Sequence, residues 1–183
     1  MQVTGIEELS KSRCKVFLDE QFAFALYKGE LRLYHVCEGQ ELAEEDYAAI
    51  MGEVLPKRAK LRTMNLLAKK QYTVKQLRDK LQAGGYPQEI IEIALDYVAQ
   101  YHYTDDLRYA IDYMNTYEST KSRRRMEQEL LQKGIDREIL EKAWREWEEK
   151  GGSQDEASMI RRLLEKRGYD PQCADIKEKQ RMY

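Results

Sequence analysis

The amino-acid sequence predicts a mostly α-helical protein, in which tandem three-helix repeats form an elongated array behind a small strand-containing cap at the N-terminus. The main observation is a repeat: segment 73–98 recurs in degenerate form at 121–147, with matched residues 49 positions apart. In both copies a short amphipathic helix ends at glycine, and a second helix begins two or three residues later. The start of the chain instead shows the two-residue alternation typical of strands. A fixed period indicates one supersecondary unit used twice.

Seven positions of the first copy are matched in the second copy by residues of similar kind. They are Leu77, Leu81, Gly85, Glu89, Ile90, Ile91 and Ala94, matched by Met126, Leu130, Gly134, Glu138, Ile139, Leu140 and Ala143. Each of the two glycines follows its helix at the position where a left-handed backbone lets the chain turn at once. We therefore expect both glycines to be structural. Thr73 and Gln76 have the spacing of a capping box at the start of the first helix of this motif.

The opening of the chain predicts strands, because apolar residues alternate with other residues on both sides of Asp19. A three-residue loop beginning at Asp19 would pair Leu18 with Phe22 and Val16 with Phe24. A two-residue loop would put the two apolar sets on opposite faces. We therefore predict the three-residue loop, with a further strand before it.

Turn and cap residues divide the chain into four expected segments. They are a β-hairpin plus helix extension over 1–55, a three-helix repeat over 56–103, a second three-helix repeat over 104–152 and a partial third repeat over 153–183. Pro56 predicts the start of a new helix, because proline suits the first helical turn. Ile160, Leu163 and Leu164 are expected on the inner face of the third repeat, which breaks off within a further charged helix over 175–183.

Charge is segregated along the chain although the net charge is only −2. Residues 28–56 hold two basic and seven acidic side chains, whereas residues 57–80 hold nine basic and one acidic. In the helix that begins at Pro56, the predicted apolar stripe is Leu61, Met64 and Ala68. The predicted polar stripe is Arg58, Arg62, Asn65 and Lys69. A local asymmetry of this kind bears on the choice of partner.

The candidate contacts with a partner protein or nucleic acid are basic side chains of residues 57–80 and of the start of the second copy. They are Arg58, Arg62, Lys69, Lys70, Lys75, Arg78, Lys121, Arg123, Arg124 and Arg125. Lysine and arginine dominate affinity for nucleic-acid backbones, and a solvated helix face is the alternative interpretation. Cations at the start of a helix oppose its dipole. A partner's negative charge is therefore the expected reason for the three successive arginines.

Tyrosines cluster where the two copies meet. They are Tyr97, Tyr101, Tyr103, Tyr109, Tyr113 and Tyr117. The helical spacing of the last three favours packing between repeats over stacking on DNA bases. Trp144 and Trp147 are expected in the core of the second copy, because they lie on the apolar face of its last helix.

The sequence contains no pattern typical of a catalytic or cofactor site. His35 and Cys37 lie close together, but no second pair with metal-ligand spacing follows. No serine or cysteine has a recognisable partner base. Three widely spaced cysteines predict reduced thiols, and no apolar run approaches the length of a membrane span. We expect a cytoplasmic monomer that is not an enzyme and uses no metal or cofactor.

Several motifs, in order along the chain, resemble one family. YTDDLRYA at 103–110, the L-x3-L-x2-GGY motif at 77–86 and the M-x3-L-x2-KGI motif at 126–135 resemble the RecX family of recombination regulators. FLDEQFAF at 17–24 is similar to the N-terminal extension of some members. The chain departs from the family at His102, where glycine is usual. A glycine that often opens the middle helix of the second repeat is also absent, and the third repeat is incomplete.

The resemblance implies a protein that binds the filament of the recombinase RecA on single-stranded DNA. It implies negative modulation of recombination and of SOS-related activity, with weak, electrostatic contact to single-stranded DNA and no chemistry of its own. Two alternatives stay open. One is a DNA-binding protein of helix-turn-helix type that would place residues 75–80 or 123–125 in a groove. The other is a helical scaffold for a different protein.

Overall fold

The computed structural model describes residues 1–154 and 156–166. The chain divides into two compact units, Met1–Asp106 and Leu107–Tyr183. The first unit opens with a three-stranded antiparallel sheet in the order β1 (Val3–Ser10), β2 (Arg13–Leu18), β3 (Gln21–Tyr27). The predicted mostly helical class, with a small N-terminal sheet, is therefore confirmed.

Helices make up most of the rest of the described chain. They are α1 (Lys28–Leu33), α2 (Glu44–Ala49), α3 (Leu55–Leu67), α4 (Val74–Ala83), α5 (Gln88–Gln100), α6 (Asp106–Tyr117), α7 (Arg123–Gln132), α8 (Arg137–Glu149) and α9 (Glu156–Lys166). The three-helix units of the repeat correspond to α3–α5 and α6–α8. None of the helices in the described ranges has the length and apolar character needed to cross a membrane. The division into four segments with the predicted boundaries stays a prediction, and the predicted helix over 175–183 lies outside the described residues.

The turn between β2 and β3 differs from the prediction. It contains two residues, Asp19 and Glu20, and both have positive φ (48° and 69°), as a tight hairpin turn requires. The strand pairs are Leu18 with Gln21, Phe17 with Phe22 and Val16 with Phe24. The three-residue loop is therefore wrong. An irregularity in register next to Val16 adds one residue to β3, and this bulge restores the predicted pair of Val16 with Phe24, both fully buried.

Helix α3 is continuous with α2 through a π-helical segment, Ile50–Val54. The N–H of Leu55 donates to the carbonyl of Ile50, five residues earlier. The predicted boundary at Pro56 is therefore a change in helix type and not a break in the helix. The wide π turn suits this position, because proline has no N–H to donate to the usual carbonyl.

The buried face of α3 is not the predicted stripe of Leu61, Met64 and Ala68. The buried residues of α3 are Leu55, Pro56, Ala59, Thr63 and Leu66. Leu61 is 62% exposed and Ala68 is also exposed, so the helix is rotated relative to the prediction. Thr63 can lie inside because its hydroxyl donates to the carbonyl of Ala59 at 2.8 Å. Burial of a hydroxyl that has a backbone partner carries no large desolvation penalty. A stripe predicted from apolar residues alone therefore leaves out Thr63.

The sheet and helices α3–α5 share one hydrophobic core. The turn after α4 lies against strand β3: the N–H of Ala25 donates to the carbonyl of Gly85 at 2.9 Å. Gly85 has φ of 78°, and a Cβ there would lie 2.5 Å from the Cβ of Ala25. The expected structural role of this glycine therefore has two causes, the left-handed backbone and the close approach of a strand. The capping box of Thr73 with Gln76 is present as predicted.

The second unit has its own core, in which Trp144 and Trp147 are buried as predicted. Gly134 has φ of 89°, in agreement with its expected role after α7. In α9, however, Ile160 and Leu163 are exposed, so the inner face predicted for this segment is not buried among the described residues.

Candidate partner-binding surfaces

A cleft of about 610 Å³ opens in the first unit beside α3. Its charged lining residues are all basic: Arg13, Arg58, Arg62 and Lys80. Hydroxyl, amide, aromatic and aliphatic groups complete the lining, from Ser10, Ser12, Tyr27, Leu61, Asn65, Ala83, Gly84 and Tyr86. Within the described chain no carboxylate lines the cleft. Such a cleft has the electrostatic character of a site for anions.

Three elements bring these groups together. On α3, residues 58, 61, 62 and 65 follow the i, i+3, i+4, i+7 spacing of one helix face. Lys80 comes from the last turn of α4. Arg13 begins β2, and its guanidinium donates to the carbonyl of Gly84, 71 residues away in sequence, at 3.0 Å. The predicted polar stripe of α3 is therefore one wall of the cleft, and the sheet supplies another.

Arg58 has a structural role in this wall. Its guanidinium forms an ion pair with Glu30 at 2.5 Å and donates to the carbonyl of Ala25 at 3.3 Å. It also lies 4.8 Å from the centre of the Tyr27 ring. Only 15% of the side chain is exposed. Arg58 therefore joins α3 to β3 and α1, and its charge is already partly neutralised.

Arg62 is the free cation of the α3 wall. It is exposed, and among the described residues it makes no hydrogen bond or ion pair. Burial raises the pKa of the nearby Tyr86 hydroxyl, and the positive charges of Arg58, Arg13 and Arg62 oppose this rise. The three guanidinium groups therefore act on the same part of the cleft. A bound anion would experience their combined field.

Four other candidates of the first unit lie outside the cleft. Lys69 and Lys75 are exposed and have no polar partner in the described chain. Lys70 lies over one ring, that of Tyr72, at 4.8 Å. Arg78 is bound to both carboxylate oxygens of Glu92, which joins α4 to α5. Arg78 therefore stabilises the repeat, whereas the three lysines remain available to a partner.

In the second unit, Lys121 is the centre of an internal network. Its ammonium donates at 2.6 Å both to the hydroxyl of Tyr113 and to the carboxylate of Glu129. Tyr113 and Arg125 also donate to Glu129. The hydrogen bond from Lys121, followed by those from Tyr113 and Arg125, lowers the pKa of Glu129 from 4.5 to about 2. Lys121 lies before α7 and not within it, and only 17% of its side chain is exposed.

The arginines at the start of α7 also have intramolecular partners. Arg123 pairs with Glu127 at 3.0 Å and with Glu148 at 2.9 Å. Its guanidinium lies 4.4 Å from the ring centre of Trp144. Arg123 and Arg125 therefore have carboxylate partners within the chain, so the charge of another molecule is not needed to explain them. Arg124 is exposed and has no polar contact with another described residue.

Sequence reasoning missed Arg13, Tyr27 and Leu61 as members of the cleft. No local signal identifies Arg13 and Tyr27, because each reaches the cleft only through tertiary packing. Leu61 shares the helix face of Arg62 but belongs to the predicted apolar stripe. Lys80 could have been recognised as part of the basic stretch over 57–80. Among the described residues no group of three or more metal-ligating side chains is placed to hold a metal ion.

The fold defines a class: proteins built from tandem three-helix domains, here with cationic surfaces. Within this class, the sequence model for the first three-helix domain of RecX matches residues 59–97, and that for the second matches residues 105–143. The regulatory protein RecX of Caldanaerobacter subterraneus subsp. tengcongensis is 33% identical over 169 residues, which cover 91% of this chain and 84% of that protein. The chain belongs to the RecX family of regulatory proteins.

Other comparisons agree with this assignment. The regulatory protein RecX of Clostridioides difficile is 26% identical over 145 residues, covering 77% of this chain and 68% of that protein. A crystal structure of regulatory protein RecX superposes with a TM-score of 0.51 at 28% identity, over 80% of this chain and 73% of that chain. The family and its helical repeat architecture, predicted from the ordered motifs, are confirmed.

Proposed function

We propose that this protein binds the RecA filament on single-stranded DNA and negatively modulates recombination and SOS-related activity. Membership of the RecX family supports the proposal. The observation that carries it is the cationic cleft beside α3, which has four basic groups and no carboxylate among its described lining residues. A filament of protein on DNA offers both phosphates and acidic side chains to such a surface. We also propose that the protein acts in the cytoplasm as a monomer.

The free cations determine which contacts are available. Arg62, on the α3 wall of the cleft, has no carboxylate partner among the described residues. The same is true of Lys69, Lys75 and Arg124, which lie outside the cleft. A basic side chain that has no intramolecular ion pair can bind a partner's anion without first breaking such a pair. Contact with phosphates alone fixes position but reads no base sequence. The free protein should therefore bind DNA weakly, with affinity that falls steeply as salt rises.

The test is a titration of the protein into a RecA ATPase assay on single-stranded DNA. We expect inhibition by the parent protein and at least about tenfold weaker inhibition by Arg62→Glu, equivalent to about 1.4 kcal/mol. Arg145→Glu is the matched control, because Arg145 is exposed on α8 and does not line the cleft. Absence of inhibition by the parent protein would overturn the proposal. Equal inhibition by both variants would remove the cleft from the binding surface.

The helix-turn-helix alternative receives less support from the side-chain contacts. A groove-reading helix needs several free polar side chains on one face. On α4, Arg78 is engaged with Glu92, and on α7 two of the three arginines are engaged with glutamates. Binding to duplexes of differing sequence separates the two functions, since a groove reader prefers one sequence and the proposed filament binder does not.

A further inference from the structure

Three tyrosines form a row at the C-terminal end of α5. The ring centres of Tyr97 and Tyr101 are 5.0 Å apart, with an angle of 57° between the ring planes. Those of Tyr101 and Tyr103 are 6.0 Å apart, and their planes differ by only 23°. All three residues belong to the first unit. The row is therefore an arrangement built within one rigid helix end and the turn that follows it.

The sequence produces this row by local geometry. Tyr97 and Tyr101 are four residues apart, so they lie on one face of the helix. His102 then adopts φ of 54°, the left-handed conformation that ends many helices. The N–H of Tyr103 donates to the carbonyl of Val98 at 2.9 Å, which fixes the reversed chain. The backbone thus holds the third ring beside the second. The conformation also explains why glycine would suit position 102.

The rings of Tyr101 and Tyr103 are not part of the core. Tyr101 is 58% exposed and Tyr103 is 52% exposed, whereas Tyr97 is half-buried against the core of the first unit. Neither exposed hydroxyl has a hydrogen-bond partner in the part of the chain that the structure describes. Packing between repeats, the interpretation favoured for the tyrosine cluster, therefore does not account for these two. Two adjacent exposed rings form a contiguous apolar patch, and such patches are candidate contact surfaces.

A cation adjoins the row. The ammonium of Lys60 on α3 lies 5.1 Å from the ring centre of Tyr97. Arg58 and Arg62 of the cationic cleft are each two residues from Lys60, about 200° around the helix, so Lys60 and the row lie on another face of α3. Sites for single-stranded nucleic acids combine these two features, basic groups along the backbone and aromatic rings on which successive bases stack. An unpaired base presents a flat face to such rings, whereas a paired base has both faces occupied by its neighbours.

We propose that Tyr101 and Tyr103, supported by Tyr97, form a stacking platform for unpaired bases of a single-stranded nucleic acid. The platform contacts bases through its ring faces, and every base has a flat face, so it accepts different bases with similar affinity. It deepens the proposed function, on which it rests for the source of the strand, and Lys60 is the cation beside it. A protein partner that uses the same rings as an anchor is the competing possibility.

The test is direct binding without RecA, measured by fluorescence anisotropy. The probes are a labelled oligothymidylate of about twelve nucleotides and an abasic strand of the same length and charge. We expect the double variant Tyr101→Ala/Tyr103→Ala to bind oligothymidylate at least about tenfold more weakly than the parent, because each substitution removes a ring on which a base can stack. Binding to the abasic strand should not change. Tyr101→Phe/Tyr103→Phe should bind like the parent, because phenylalanine keeps the ring.

The controls make each outcome decisive. Thermal melting should show that the alanine variant folds, as expected for exposed side chains. If this variant bound oligothymidylate like the parent, the platform would be overturned, and a simultaneous loss of RecA inhibition would assign the rings to a protein contact. An equal loss on the abasic strand would overturn it as well. If the parent stacked bases but did not inhibit RecA, the platform would stand and the proposed function would fail. Oligouridylate in parallel distinguishes RNA from DNA as the source of the strand.

Discussion

The two three-helix units are built on one pattern but complete their cores differently. In the first unit the sheet packs on the helices and supplies Val16, Phe24 and Leu26. The second unit has core side chains from α6–α8 and the turns between them. At the positions equivalent to Leu95 and Val98, 49 residues later, it has Trp144 and Trp147. The tryptophan rings are larger than the side chains they replace, and they add core volume in a unit that has no strand among its described residues.

Both units contain paired and unpaired basic residues. On α7, Arg123 and Arg125 pair with carboxylates of α7 or α8, whereas Arg124 has no such partner in the described chain. In the first unit, Arg58 and Arg78 pair with glutamates, whereas Arg62 and Lys69 have no such partner among the described residues. A run of cations therefore indicates a binding surface only where no carboxylate lies within reach. Four predictions test this contrast and the contrast between the cores.

The largest expected effect concerns the glycine that the sheet covers. Gly85→Ala should reduce the free energy of unfolding of the first unit by about 2–4 kcal/mol, because left-handed strain and overpacking against Ala25 add together. Gly39→Ala is the control: Gly39 has the same φ of 78° but no atom within 4 Å of an added Cβ. It should cost about 1–2 kcal/mol, as should Gly134→Val in the second unit. Chemical denaturation measures all three, and equal costs for the first two would show that the strand can move away.

The tryptophans test how the second core is completed. The indole N–H of Trp147 donates to Asn115 at 2.8 Å, whereas the buried N–H of Trp144 has no hydrogen-bond partner in the described chain. Trp147→Phe should therefore be more destabilising than Trp144→Phe, by about 2 kcal/mol, since one change removes a hydrogen bond and the other removes an unsatisfied donor. Thermal melts of the two variants give the difference. If Trp144→Phe were the more destabilising change, the packing of Trp144 would contribute more to the stability than its unsatisfied N–H costs.

Charge reversals on α7 separate a free arginine from a paired one. Arg124→Glu should leave the melting temperature unchanged and weaken RecA inhibition about tenfold, or about 1.4 kcal/mol. Arg125→Glu should lower the stability by about 0.5–1 kcal/mol, because it removes the pair with Glu129 and places two carboxylates one turn apart. Melting curves and ATPase titrations on the same preparations decide the matter. Equal loss of inhibition without any change in melting would contradict the assignment of Arg125 to the fold.

The smallest effect is expected in acid. Because its hydrogen bonds hold the pKa of Glu129 at about 2, below its ordinary value of 4.5, the carboxylate stabilises the folded second unit above pH 4.5. This contribution should disappear progressively as the pH falls from 4.5 towards about 2. Glu129→Gln should flatten that part of the stability curve, whereas Glu141→Gln, at an exposed position of α8, should not. Parallel curves for Glu129→Gln and the parent would rule out the network as a source of acid sensitivity.

Much of the helical framework could be predicted because its signals are local. The capping box of Thr73 and Gln76 lies within one helical turn, and the positive φ of Gly85 and Gly134 belongs to the turn that ends each helix. The rotation of α3 could not be predicted, because Thr63 counts as polar until its hydroxyl is seen to bond within the helix. The predicted length of the hairpin turn is also wrong, because a bulge changes the register of the strands without a distinct sequence signal.

The candidate surfaces show the same division more sharply. The basic stretch over 57–80 is evident in the sequence, and so is the run at 121–125. Which of these cations are free depends on carboxylates that arrive from other elements: Glu30 for Arg58 and Glu92 for Arg78. The cleft itself needs Arg13, which lies 71 residues from its contact at Gly84.

The sequence by itself determined the repeat, most helix ends, the family and the segregation of charge, because each depends on residues within a few turns of one another or on ordered motifs. The tertiary structure alone decided which cations have an internal ion pair, which face of α3 is buried and which tyrosines are exposed to solvent. The physical reason is that Coulomb attraction and burial act over a few ångströms in space, irrespective of separation along the chain. Arg62 and Arg58 are one helical turn apart, yet only packing against Glu30 made one structural and left the other free.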